Sequence, residues 1–180
     1  MSKEDLKVYA DRIDDLSKAV DKDGKLPADR RNEWVVACCE QPATRIEGAL
    51  EIRVPPLWRK DLGPPPEPLR IAALTEKQLE RLIVALTQSK ELLWGEAVIA
   101  GAVGHIRDKR LDGYFERKLK ACADSEEPHF AADLMQGLLA QREWSDGAAL
   151  ITRFQDREYD DAKGRIQDVR EFLSKVPAAK

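Results

Sequence analysis

Six prolines, Pro55, Pro56, Pro64, Pro65, Pro66 and Pro68, fall within fourteen residues, and they constrain the organisation of the chain more than any other feature. Proline fixes φ at about −65° and has no amide hydrogen to donate, so this stretch forbids regular helix and favours extended polyproline geometry. It divides an N-terminal element (1–54) from a larger segment (70–176), with 55–69 as a proline-rich connector and 177–180 as a tail. Such a connector suits a ligand for an aromatic-lined groove, or a semi-rigid strap held to the surface by Leu57, Trp58 and Leu62. The strap is the simpler expectation, because proline content alone implies no partner.

The larger segment has the period of helices. Thr75-x-x-Gln78 is a capping box, and Leu79, Leu82, Ile83 and Leu86 follow it at spacings of three and four. The next helix runs through Leu93, Trp94, Ala97, Val98, Gly101 and Ala102, apolar on most of its circumference, as a helix buried between neighbours must be. Gly95, Gly101 and Gly104 are placed to let those neighbours approach closely. A third helix spans about 111–123 through Tyr114, Phe115, Leu119 and Cys122. A fourth starts at Pro128 and carries Phe130, Leu134, Met135 and Leu138. The fifth (about 146–157) and sixth (about 161–175) have Ser145 and Asp160 as their natural caps.

Residues 3–20 read as an amphipathic helix through Leu6, Tyr9, Ile13, Leu16 and Val20, stopped by a turn at Gly24 and Pro27. That turn resembles half of a calcium loop, but the first and twelfth positions are Ala19 and Arg30, where calcium needs carboxylates. Residues 28–40 form a second helix with Trp34, Val35, Cys38 and Cys39 as its apolar stripe. A competing reading exists here: Leu50-Glu-Ile-Arg-Val54 alternates as a half-buried strand does, and 34–39 is β-branched enough to pair with it.

The expected fold is therefore mainly all-α, a compact multi-helix bundle or a short HEAT/TPR-like helical solenoid, with a possible small β-hairpin near 34–54. A weak 36-residue echo, Leu79 to Phe115, Ile83 to Leu119 and Gly101 to Gly137, has the period of stacked helix pairs, but polar positions do not repeat and no repeat consensus is present.

Thirty Lys+Arg against 33 Asp+Glu give a net charge of −3, which excludes a surface that coats nucleic acid all over and makes any basic site local. The longest apolar and small runs, 34–39 and 97–104, fall short of the roughly 20 residues of a membrane span. With no signal or transit pattern in residues 1–20, the expected location is cytoplasmic, with no membrane association.

The chemistry the sequence offers is sparse. Three cysteines, with Cys38 and Cys39 adjacent on different faces and no C-x-x-C, suit neither a disulfide framework nor zinc. No phosphate-binding glycine motif, zinc-helix motif or nucleophile elbow occurs. His105 or His129 with Cys122 is the one arrangement that allows nucleophilic catalysis, against the simpler reading of cap or surface histidines beside a buried thiol. No catalytic, cofactor or metal residue is nominated.

Positive charge is densest at 107–120, where six bases meet three acids. Arg110, Tyr114 and Arg117 share helical spacing, so one face can present guanidinium groups around a ring, as phosphate-contacting surfaces do. Mixed signs are equally what a solvated helix face looks like. The leading expectation is thus a non-enzymatic protein–protein interaction or adaptor module in a larger complex, with Trp58, Trp144, Arg107, Lys109, Arg110, Arg117 and Lys118 as candidate contacts. The alternative is a nucleic-acid-associated subunit holding phosphate through Arg107, Lys109, Arg110, Arg117 and Lys118. Oligomeric state is not encoded in any of these features.

Overall fold

A computed structural model describes residues 28–53, 74–90 and 92–179, in which every regular element is helical. The chain divides into two compact units, Met1–Leu82 and Ile83–Lys180. The expected helix at 3–20, the turn at 21–27 and the proline connector with Trp58 lie outside the described residues.

In the first unit, α1 (Ala28–Glu40) is followed by a 3-10 turn (Pro42–Thr44) and α2 (Arg45–Arg53), which packs back on α1. The possible hairpin near 34–54 is corrected to this helical pair. Six consecutive residues, Trp34 to Cys39, are all buried, so the run is apolar because α1 is enclosed on every side, not because it is a strand. Pro42 stands in the first turn of the 3-10 element, where its missing amide costs nothing. The carbonyls that α1 leaves open at its C-terminal end are taken up by side chains. Thr44 Oγ1 donates to Cys38 O at 3.0 Å and Arg45 Nε donates to Cys39 O at 3.1 Å, both buried.

Helix α3 (Glu76–Gln88) starts on the expected capping box: Thr75 N–H donates to Gln78 Oε1 at 3.1 Å and Gln78 N–H returns to Thr75 Oγ1 at 3.2 Å. Its first half belongs with α1, since Arg81 donates to both oxygens of Glu40 and to Glu33 Oε1, each at 2.6 Å. The hydrogen bonds Arg81 donates to those two carboxylates, Glu40 first, raise its pKa further above its ordinary value.

The second unit holds the rest of α3 with α4 (Trp94–Val103), α5 (Lys109–Ser125), α6 (Ala131–Arg142), α7 (Ala148–Asp156) and α8 (Ala162–Lys175). Helix α6 lies centrally, packed on α4, α5 and α7, and α8 returns to α5 and α7. In a linear solenoid each element meets only its neighbours, so the contact of α5 with α8 makes this unit a closed bundle. Helix α4 is buried from Gly95 through Ala100, as its mostly apolar circumference requires, with Glu96 the one charged side chain inside that stretch. Gly104 brings it against the backbone of α6: a Cβ there would lie 2.6 Å from Gly137 Cα. The ring of Phe115, from α5, covers Gly137 from the other side.

Two helix ends were not signposted by glycine. Glu126 and Glu143 take the left-handed conformation that ends α5 and α6. At the second, Trp144 N–H donates to Leu139 O at 3.1 Å and Glu143 N–H to Ala140 O at 3.4 Å, a Schellman motif. The expected caps at Ser145 and Asp160 are also corrected. Ser145 begins a 3-10 turn (Ser145–Gly147), and Asp161 rather than Asp160 caps α8, accepting from Gly164 N–H at 2.9 Å.

An electrostatic clasp joins α7 to α8. Buried Asp168 accepts from Arg153 at 2.7 Å and from Arg157, while Arg153 and Lys175 both hold Glu171. Hydrogen bonds from Lys175 first, then Arg153, depress Glu171 from its ordinary 4.5 to about 2. A carboxylate depressed in the folded state stabilises above its unfolded pKa, and that contribution is lost as pH falls through the folded value. Stability is therefore expected to fall between about pH 4.5 and 2 partly through Glu171, and Glu171→Gln is expected to flatten that part of an acid titration followed by circular dichroism.

Candidate interaction surface

The basic stretch does not form one cationic face. Arg107 reaches across to the C-terminal end of α6, donating to Ala140 O at 2.6 Å and to Gln141 O, and pairing with Glu143 at 2.6 Å. Positive charge at those open carbonyls complements the helix dipole. Arg110 folds onto Asp108, which also caps α5 by accepting from Arg110 N–H at 2.8 Å, and these hydrogen bonds lower the Asp108 pKa. Arg117 donates to Thr87 O at 3.1 Å, and its guanidinium lies 5.9 Å from the centre of the Tyr114 ring.

Lys118 is buried and so cannot contribute to an exposed surface. Its Nζ lies 2.9 Å from Glu96 Oε1, the oxygen that also accepts from Tyr114 OH at 2.5 Å, and it donates to Ser89 Oγ at 3.3 Å. Tyr114 thus belongs to the core, with both α4 and α5 tied to one carboxylate. Arg107, Lys109, Arg110 and Arg117 are exposed, and Lys109 lies on the rim of a pocket of about 390 Å³ lined by Arg107, Asp108, Lys109, Asp112, Gln141, Arg142 and Ala179. Most charges in that pocket are internally matched: Arg142 holds Asp112 at 2.8 Å and Glu116, and also donates to Pro177 O. Glu116 is held low by Lys120 first and Arg142 second.

Trp144 is half-buried against Phe172, ring centres 5.2 Å apart, and Gly147 is small because the indole fills the space beside it. It works as a wedge between the α6 end and α8. Cys122 is fully buried in α5, and desolvation pushes its thiol up to about 12. A thiol so placed is protonated at neutral pH, which leaves no nucleophile there. Cys122 is expected to react with a thiol-specific chromogenic disulfide orders of magnitude more slowly in the folded protein than in denaturant, and rapid labelling at pH 7 without unfolding would contradict this.

The second histidine leads to a feature that the sequence reading passed over. His129, exposed in the 3-10 turn Pro128–Phe130, stacks on Tyr159 with ring centres 4.4 Å apart and planes 15° from parallel. Tyr159 is 73% exposed, the most exposed of the large apolar side chains among the described residues. Arg165 supports it from α8, its guanidinium 5.9 Å from the Tyr159 centre and 4.9 Å from that of buried Phe154. Arg165 is fixed in turn by donating to Glu158 O at 3.2 Å and Arg157 O at 3.0 Å. The contacts Phe154, Arg165, Tyr159, His129 thus run from the core to the surface. The available signal was an aromatic residue set in a wholly polar turn, Arg157-Glu-Tyr-Asp-Asp161, outside any helical period.

Comparison with protein-family models, with curated proteins and with solved structures yields no match to this chain. No helix among the described residues is long and apolar enough to cross a membrane.

Proposed function

We propose that the chain is a non-enzymatic helical module that binds another protein as a component of a larger assembly. The observation that carries this reading is the ordered, exposed His129–Tyr159 ring pair, in a unit whose other aromatic side chains serve its packing. Aromatic side chains held in place supply contact area at little entropic cost, which is how binding hot spots work. The sequestered Cys122 thiol and the internally paired charges at 107–120 support binding over chemistry.

Affinity capture with the full chain, with and without nuclease, tests this reading against phosphate binding through Arg107, Lys109, Arg110 and Arg117. Recovery of the same partner after nuclease treatment, and by a Lys109→Glu/Arg117→Glu variant, is the expected outcome. Capture that nuclease or the charge change abolishes, or that weakens with the steep salt dependence of phosphate contacts, would replace it with the nucleic-acid reading.

A further inference from the structure

We infer that the His129–Tyr159 surface receives a basic segment, rich in arginine or lysine, of a partner protein; the inference rests on the interaction reading above and specifies its partner. The ring pair sets the place. Stacking on His129 and support from Arg165 hold Tyr159 while it stays 73% exposed, so a ligand meets an ordered π surface and immobilises little.

Charge sets the occupant. The two segments that supply the rings, 124–130 and 156–163, hold seven carboxylates against two cations, and the surface stays negative when Arg165 on the Tyr159 ring and Arg170 at the end of α5 are added. Asp161 is engaged by Arg157 and by the start of α8. The other six, Asp124, Glu126, Glu127, Asp156, Glu158 and Asp160, are exposed and make no ion pair among the described residues. Elsewhere in the unit several carboxylates are matched by a cation, Asp108 by Arg110, Asp112 by Arg142 and Asp168 by Arg157, although exposed Asp146 is not matched among the described residues.

The position of these acids sharpens the argument. Asp124 lies in the last turn of α5 and Asp156 closes α7, where the helix dipole already places negative partial charge. Carboxylates there cost helix stability, and their field adds to that of both helix ends. Arg170 anchors α8 to the end of α5, donating to Ala123 O at 3.1 Å. An exposed aromatic pair in a negative field attracts a guanidinium or ammonium group twice, through the ring quadrupole and through the carboxylates. The same field repels a phosphate backbone and an identical copy of this surface.

The test uses the full chain and a fluorescent peptide of alternating arginine and glycine, read by anisotropy at physiological ionic strength, with a glutamate–glycine peptide and labelled oligothymidylate as the other probes. The arginine peptide is expected to bind and the other two are not. Tyr159→Ala is expected to weaken binding about tenfold, whereas Tyr159→Phe, which keeps the ring, stays within about twofold. Glu127→Gln/Glu158→Gln/Asp160→Asn is expected to weaken it about tenfold as well, with an unchanged circular dichroism spectrum for each variant. Equal peptide affinity for wild type and Tyr159→Ala, or oligothymidylate bound in a Tyr159-dependent way, would overturn the inference. A partner captured from lysate equally well by wild type and Tyr159→Ala would overturn it too while leaving the interaction reading standing, whereas nuclease-sensitive capture would remove that reading.

Discussion

Lys118→Met is expected to lower the stability of the second unit by about 3–5 kcal/mol, more than any surface substitution in the chain. The side chains of Lys118 and Glu96 are 4% and 1% exposed, so solvent does little to screen them. Removing the ammonium leaves the Glu96 carboxylate buried, with Tyr114 OH its remaining donor among the bonds given above. A buried charge without its counter-charge is costly because its hydration was given up on folding and the neutral donors that remain replace it only in part. The same reasoning predicts a rescue. In Lys118→Met/Glu96→Gln the amide oxygen still accepts from Tyr114 while the charge is gone, so the double variant is expected to be more stable than Lys118→Met alone, with a positive coupling in the double-mutant cycle. Because the chain has two compact units, one global midpoint is a poor readout. Amide exchange at Leu119 and Leu134, buried in α5 and α6, reports the second unit directly. A loss below about 1 kcal/mol for Lys118→Met would mean that the pair is wet or mobile in solution.

That ion pair also marks where the sequence stopped being legible. Helical periodicity located all six helices after Thr75, and the capping box was visible as Thr75 and Gln78, because hydrophobic spacing and local capping are properties of adjacent residues. What a charged residue does is not local. Lys118 and Arg117 are neighbours in a basic stretch, yet one is sealed against Glu96, twenty-two residues earlier, and the other lies on the surface. One helical step of about 100° separates core from solvent, and only the packing of α4 decides which lysine finds a buried carboxylate.

The N-terminal pair shows the complementary failure. Alternation over Leu50–Val54 is short enough to fit a strand or one helical turn, and residues 34–39 carry no period because all are buried. Arg45 and Thr44 settle the matter by occupying α1 carbonyls that a hairpin would have offered to a partner strand. Tyr159 escapes helical periodicity for a different reason: periodicity weighs residues inside elements, and this ring stands in a turn, stacked on His129 thirty residues earlier.

The glycines of the central crossing, by contrast, were readable, and Gly104→Ala puts their role to a quantitative test. Alanine has no conformational difficulty at Gly104, whose φ of −58° is right-handed helical, so any loss must come from space. The added Cβ would lie 2.6 Å from Gly137 Cα, a contact with backbone that no side-chain rotation relieves. Helices α4 and α6 have to move apart, opening the interface around buried Val103 and Leu134, and a loss of about 3 kcal/mol is expected. Gly137→Ala is obstructed differently, since its Cβ would meet the Phe115 ring at 2.2 Å. Shortening that ring should relieve part of the clash, so Gly137→Ala/Phe115→Leu is expected to cost less than the sum of its two single changes, whereas adding Phe115→Leu to Gly104→Ala brings no such relief. Gly113 supplies the opposite sign within the same unit: it is exposed on α5 with nothing within 4 Å of an added Cβ. Gly113→Ala is therefore expected to stabilise by about 0.5–1 kcal/mol through lower backbone entropy in the unfolded chain. Amide exchange across the three variants separates the two causes, because a Gly104→Ala loss no larger than the Gly113→Ala gain would mean that α4 and α6 do not cross in backbone contact.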